Sequence, residues 1–120
     1  MTRWLVDGMN LIGSRPDGWW RDRPRAMREL VEELRRLGEP VTVVFDGRPF
    51  ELVDAGGVEV LFASRRGRNA ADDDIAELVA QADEPEQWRV VTSDRELSER
   101  VRACGGQVVG TGAFRRRLDK

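Results

Sequence analysis

The feature that most constrains the fold is a repeated pattern, a short apolar run that stops on an acid. Trp4-Leu5-Val6 runs into Asp7-Gly8-Met9-Asn10, Val41-Thr42-Val43-Val44-Phe45 into Asp46-Gly47, and Arg89-Val90-Val91-Thr92 into Ser93-Asp94. The runs are short and rich in β-branched residues, so they read as strands. The 41–45 run is apolar almost throughout, the pattern of a strand covered on both faces. Between the runs lie segments of helical period. Met27, Leu30, Val31, Leu34 and Leu37 recur every three or four residues and predict an amphipathic helix over about 23–37. Asp22 and Pro24 mark its start, Gly38 ends it and Pro40 prevents continuation. Glu29, Glu32, Glu33, Arg35 and Arg36 form its solvated face, with local ion pairs.

The remaining elements follow from the same signals. Leu11 to Gly18 is rich in turn formers and reads as a loop leading to Trp19 and Trp20. Val58–Phe62 is a third strand, a helix runs from about Ala70 to Ala82, residues 88–92 form a fourth strand, and a helix covers about 94–103. Gln107–Val109 is a short fifth strand, and Thr111 is placed to cap a terminal helical turn containing Phe114 and Leu118. Strands alternating with helices predict an α/β fold with a mainly parallel central sheet of about five strands flanked by helices. No repeat, linker or low-complexity stretch interrupts residues 1–120, so a single domain is expected.

Composition removes several chemistries. The chain has 120 residues, enough for one core, and it contains no histidine. That excludes Ser-His-Asp and Cys-His catalysis, paired-histidine acid/base chemistry and His-ligated zinc. The single cysteine, Cys104, excludes an internal disulfide framework and reads as a buried structural thiol on a helix. No apolar run approaches the roughly 20 residues that span a bilayer. The run after Arg3 is too short for a signal peptide, so a cytoplasmic protein is expected, with no membrane partner. Net charge is -2, without the global basic field of many nucleic-acid binders. Almost all positive charge is arginine, with Lys120 the only lysine. Arginine suits bidentate contacts to phosphate, although compositional bias explains its abundance as well.

In an open α/β sheet, ligands gather beyond the carboxyl ends of the strands. Asp7, Asp46 and Asp94 all stand there. A fourth contribution comes from Ala71-Asp72-Asp73-Asp74-Ile75 at a helix start. At about 100° per residue, Ile75, Leu78, Val79 and Ala82 form the buried stripe and Asp73 lies roughly opposite, facing water. Asp72 and Asp74 flank the stripe, and one of the two leans over the sheet rim. Each acid alone has a bland explanation, since carboxylates suit a first helical turn and Asp-Gly is a common turn pair. Together they would repel one another and raise their pKa values unless a cation neutralised them. Without Cys or His ligands, Mg²⁺ or Mn²⁺ is the natural partner.

The ordered set Val6-Asp7-Gly8-Met9-Asn10, Val44-Phe45-Asp46-Gly47, Ala71-Asp72 with Ile75, and Val91-Thr92-Ser93-Asp94-Arg95 resembles the YacP-like NYN domains, within the broader PIN-like and flap-nuclease class. The resemblance spans nearly the whole chain. It implies a three-layer PIN-like fold and a metal-dependent ribonuclease, with Asp7, Asp46, Asp72 and Asp94 as the acidic site. Asn10 and either Ser93 or Thr92 become polar helpers. The sequence departs from the pattern in two places: Glu96 stands where many PIN relatives have a second aspartate, and the connection between the second and third strands is shortened.

RNA, including ribosome-associated message, is the implied partner, and it must reach an acidic rim. Arg65, Arg66 and Arg68 precede the acidic helix, and Arg48 and Arg95 sit just beyond site acids; all five are candidates to grip phosphates. Arg115, Arg116 and Arg117 read as a solvated tail. Of Trp19 and Trp20, one can stack on an unpaired base while the other packs on the following helix. The leading expectation is therefore a Mg²⁺- or Mn²⁺-dependent endoribonuclease, and the alternative is a non-catalytic RNA- or ribosome-binding domain. Phosphoryl transfer through a nucleophilic Asp7 is disfavoured, because no second acid follows two residues on. Dinucleotide binding is disfavoured because no GxGxxG loop follows the first strand.

Overall fold

The computed structural model describes residues 2–15, 17–46, 56–64, 67 and 69–119. Among them, β1 (Arg3–Asp7) is the middle strand of a five-stranded sheet with β2 (Val41–Phe45) and β3 (Val58–Phe62) on one side and β4 (Trp88–Val91) and β5 (Gln107–Val109) on the other. Every neighbouring pair is parallel. The register sets Val6 beside Val43 and Val91, and Asp7 beside Val44.

Among the described residues five α-helices cover the sheet: α1 (Gly8–Gly13), α2 (Arg23–Leu37), α3 (Ala70–Gln81), α4 (Arg95–Ala103) and α5 (Thr111–Leu118). Successive strand residues point to opposite faces, and β1 shows it. Trp4 and Val6 join Leu11, Leu30, Leu34 and Phe114 beneath α1, α2 and α5. Leu5 joins Ile75, Val79, Leu97 and Val101 beneath α3 and α4. Asp7 shares parity with Leu5, so its side chain belongs to the α3 and α4 face. This is the three-layer α/β arrangement expected from the alternation of runs.

The ends of α2 match the sequence signals. Asp22 accepts from the Arg25 N–H at 3.2 Å as the N-cap, and Gly38 closes the helix in the left-handed region at φ 72°. Three expectations change. Leu11 and Ile12 are not in a loop: α1 begins directly at Gly8, and both residues are buried in the core. The turn-forming composition masked this six-residue helix, whose first residue lies against β2. A Cβ on Gly8 would stand 2.5 Å from the Phe45 ring, so only glycine lets the chain turn this tightly. Gly110, rather than Thr111, precedes α5, which is a full helix of 8 residues. Cys104 is half-buried at the end of α4 rather than buried within it. No described helix is long and apolar enough to cross a membrane.

Candidate active site

The chain runs outward from β1 through β2 to β3, then crosses back to β4 and β5. The direction of strand order therefore reverses between β1 and β4, which is where open α/β sheets leave a crevice at their carboxyl edge. Asp7 closes β1 at that point. Its side chain is buried, with 4% exposure for the residue. The Thr92 hydroxyl donates to Asp7 Oδ2 at 3.1 Å and accepts from the Asp94 N–H at 3.1 Å. One hydroxyl thus ties the end of β1 to the start of α4.

Burial pushes the Asp7 carboxyl up to about 7, and the neighbouring Asp72 charge adds to the rise. The Thr92 hydroxyl and the Asn10 N–H oppose it, while Asp46 raises it further. Asp72 is also raised, by burial first, then by Asp94 and Asp46, with Arg100 offsetting. Asp7 and Asp72 thus both lie within reach of neighbouring carboxylates. Each of the four acids arrives on its own element. Asp46 follows β2 and accepts from the Ala71 N–H at 3.2 Å, pinning the first turn of α3 to the rim. Asp94 is the N-cap of α4, accepting from the Leu97 N–H at 2.8 Å.

The ambiguity within Asp72-Asp73-Asp74 is resolved by partners. Asp74 accepts from the Ser64 N–H at 2.7 Å and the Ser64 hydroxyl at 2.8 Å, toward the end of β3. Asp73 does not simply face water: Arg100 on α4 pairs with it at 2.8 Å. The sequence pattern omitted this contact because helical period reports only the stripe facing the sheet, not a neighbouring helix. Asp72 carries neither of these partners; its charge raises Asp7, and Asp94 and Asp46 raise Asp72 in turn.

The polar helpers have structural tasks. Asn10 Oδ1 accepts from the Ser93 N–H at 2.8 Å, and an N–H donor requires oxygen at that position. Asn10 therefore brackets the β4–α4 turn. Ser93 Oγ lies 2.6 Å from Thr111 Oγ1 and accepts from the Thr111 N–H, joining the turn to α5. Between the two hydroxyl candidates, Thr92 is the one at the acids. Arg95 is exposed and pairs with Glu99 at 3.4 Å. Arg48, Arg65, Arg66 and Arg68 lie outside the described residues. Arg115, Arg116 and Arg117 lie on α5 rather than on a tail; Arg116 and Arg117 are solvated as expected, Arg117 pairing with Glu39 at 2.7 Å, but Arg115 is half-buried and pairs with Glu33 at 2.9 Å. Trp19 packs half-buried against the core, and Trp20 is exposed.

A parallel sheet covered on both faces, with Asp7, Asp46 and Asp94 at or just beyond its strand ends, defines a class of α/β domain with an acidic carboxyl edge. The chain belongs to the YacP-like NYN domain family, which matches residues 4–120. That family is nuclease-like. Crystal structures of Rae1 (YacP) from Bacillus subtilis are similar along nearly all of this chain. A point-mutant form is 26% identical with a TM-score of 0.80, covering 99% of this chain and 76% of its own. Another structure of that protein is 25% identical with a TM-score of 0.79, covering 99% and 74%. No curated protein sequence matches.

Proposed function

We propose that the chain is a divalent-metal-dependent endoribonuclease that hydrolyses RNA phosphodiester bonds at the Asp7, Asp46, Asp72 and Asp94 rim. The observation carrying this reading is that Asp7 and Asp46 end adjacent strands, Asp94 opens the helix after β4, and Asp46 pins the turn that carries Asp72, all at the carboxyl edge of a YacP-like NYN domain. Their donor chemistry fits a hard ion such as Mg²⁺ or Mn²⁺. Among the described residues no three acids form a ready-made cage, so waters would complete the ion's shell, as Mg²⁺ favours. A bound ion would polarise the phosphate and ease deprotonation of the attacking water.

The chain's own groups supply the rest. Asp7 and Asp94 would hold the ion directly, and Asp46 and Asp72 would do so directly or through water. Thr92 holds Asp7 in place through its hydroxyl, and Asn10 fixes the turn that presents Asp94. Arg95 stands one residue beyond Asp94 and offers its guanidinium to a flanking phosphate. Arg48, Arg65, Arg66 and Arg68 keep the phosphate-gripping role suggested by their sequence positions. RNA, free or bound to ribosomes, is the substrate, in a cytoplasmic setting.

The test is cleavage of labelled single-stranded, structured and ribosome-bound RNA with Mg²⁺ or Mn²⁺. Asp7→Asn and Asp94→Asn are the comparisons, since Asn accepts the same hydrogen bonds and still caps a helix. Wild type should cleave only with metal, and both variants should fall by at least about a hundredfold, the scale of losing a few kcal/mol of transition-state stabilisation. Undiminished cleavage by both variants overturns the mechanism. RNA binding without cleavage would identify a binding domain instead.

A further inference from the structure

The carboxyl edge carries a feature that the acids do not use. Trp20 is 58% exposed and is the exposed large apolar side chain among the described residues. It sits on a single 3₁₀ turn, Trp19–Arg21, just before α2. Its neighbour Trp19 packs against the core, and the two rings meet edge to face with centroids 6.1 Å apart. The turn itself is pinned. The Trp19 N–H donates to Asp17 Oδ1 at 3.2 Å, the Arg21 N–H to the Gly18 carbonyl at 3.0 Å, and the Asp22 N–H to the Trp19 carbonyl at 3.2 Å. Trp20 is thus a ring displayed from a fixed backbone.

Topology sets its position. At 15 residues, α2 is roughly 22 Å long, longer than a five-residue strand of roughly 17 Å. Its C-terminal end leads to Pro40, whose carbonyl accepts from the Trp4 N–H at 3.0 Å near the amino end of β1. The N-terminal end of α2, and the turn before it, therefore stand at the carboxyl edge, on the opposite face of the sheet from the Asp7 side chain and across the rim from it. The local charge is opposite to that of the acids. Residues 15–28 hold five arginines against two aspartates, in a chain whose net charge is -2; Arg15 pairs with Asp119 and Arg25 with Glu29, while Arg21 and Arg23 flank the turn on its helix side. The Arg21 guanidinium lies 6.0 Å from the Trp20 ring. An aromatic face among arginines is the combination that binds single strands, stacking on a base while cations follow the phosphates. A duplex hides its base faces and offers the ring nothing to stack on.

We propose that Trp20 is a substrate-positioning residue that stacks on an unpaired base of RNA whose backbone reaches the acidic rim, so that the protein selects single-stranded over paired RNA. This rests on the ribonuclease reading of the same edge.

The experiment measures fluorescence anisotropy of a labelled unstructured oligoribonucleotide and of a labelled duplex, with chelator present, for wild type, Trp20→Ala, Trp20→Phe and Asp7→Asn. Cleavage kinetics with Mn²⁺ follow on the same proteins. Trp20→Ala should weaken single-strand binding about 5- to 100-fold, the range expected for one lost stack. It should raise KM with little change in kcat and leave duplex binding unaltered, and Trp20→Phe should restore most of the affinity. Equal losses for single strand and duplex, or no rescue by Phe, overturn the stacking site. If Asp7→Asn abolishes cleavage while Trp20→Ala binds and cleaves like wild type, the stacking site falls and the ribonuclease reading stands. If wild type neither binds nor cleaves RNA, both fall.

Discussion

Asp7 illustrates what a single residue can cost when it is placed for chemistry. Its carboxyl rises from an ordinary 3.8 to about 7 because burial and the Asp72 charge disfavour ionisation. The folded chain therefore binds more protons than the unfolded one between those values, and stability falls as pH climbs through that window. The penalty is absent well below 3.8 and complete above about 7. Asp7→Asn should accordingly stabilise the metal-free protein at pH 8 by on the order of a few kcal/mol, with the difference from wild type vanishing toward pH 4. Urea unfolding at the two pH values checks this; a constant difference would contradict it. Thr92 makes the complementary case. Thr92→Val removes the donor to Asp7 and the acceptor for the Asp94 N–H. It should cost about 1–3 kcal/mol by leaving buried groups unpaired, whereas Thr92→Ser should retain most of the stability. Thermal melting of the two variants distinguishes them. That Asp7, Asp46 and Asp94 stand at or just beyond strand ends was legible from sequence. The particular hydroxyl was not, because Thr92 and Ser93 are adjacent and only the direction of each side chain separates them.

At the level of elements, the periodic segments were the most readable. α2 carries its own apolar stripe, its Asp22 cap and its Gly38 stop, so its limits agree with the expected 23–37. α1 carries no comparable local signal, and its placement depends on contact with β2. Gly8→Ala should therefore destabilise by about 1–3 kcal/mol through overpacking, since its Cβ would meet the Phe45 ring at 2.5 Å. Phe45→Leu in the same chain should recover part of that loss, which a double-mutant cycle by urea unfolding would show as a favourable coupling. Additive losses would mean that the ring is not the obstacle. Ion pairs between elements were equally hidden. Arg115 with Glu33 and Arg100 with Asp73 join residues far apart in sequence. A charge pattern read along one helix identifies partners three or four residues away, but not those on another helix.

For the molecule as a whole, the proposed site exists only when the sheet is assembled. Asp7, Asp46, Asp72 and Asp94 come from four separate segments, which the parallel sheet brings to its carboxyl edge. Ion binding should therefore couple to global folding. Saturating Mn²⁺ should raise the Tm of wild type, by an amount corresponding to about 2.7 kcal/mol at a hundredfold excess over Kd. The rise should be larger at pH 8 than at pH 6, because a protonated Asp7 competes with the ion. Asp7→Asn and Asp94→Asn should each lose most of it. Calorimetry decides the matter, and an unchanged Tm in wild type would remove the ion from the site.

The sequence alone determined the alternation of strands and helices, and with it the parallel sheet, because apolar period is a local property that each segment carries independently. It also determined that acids stand at the strand ends, since a strand that stops on aspartate delivers it to the rim whatever surrounds it. Tertiary structure decided which partners Asp73 and Asp74 take, which hydroxyl holds Asp7, and that the Asn10 carbonyl is engaged by the Ser93 backbone. Those outcomes depend on side chains from distant segments meeting in one low-dielectric space, and no local pattern encodes the distance between them.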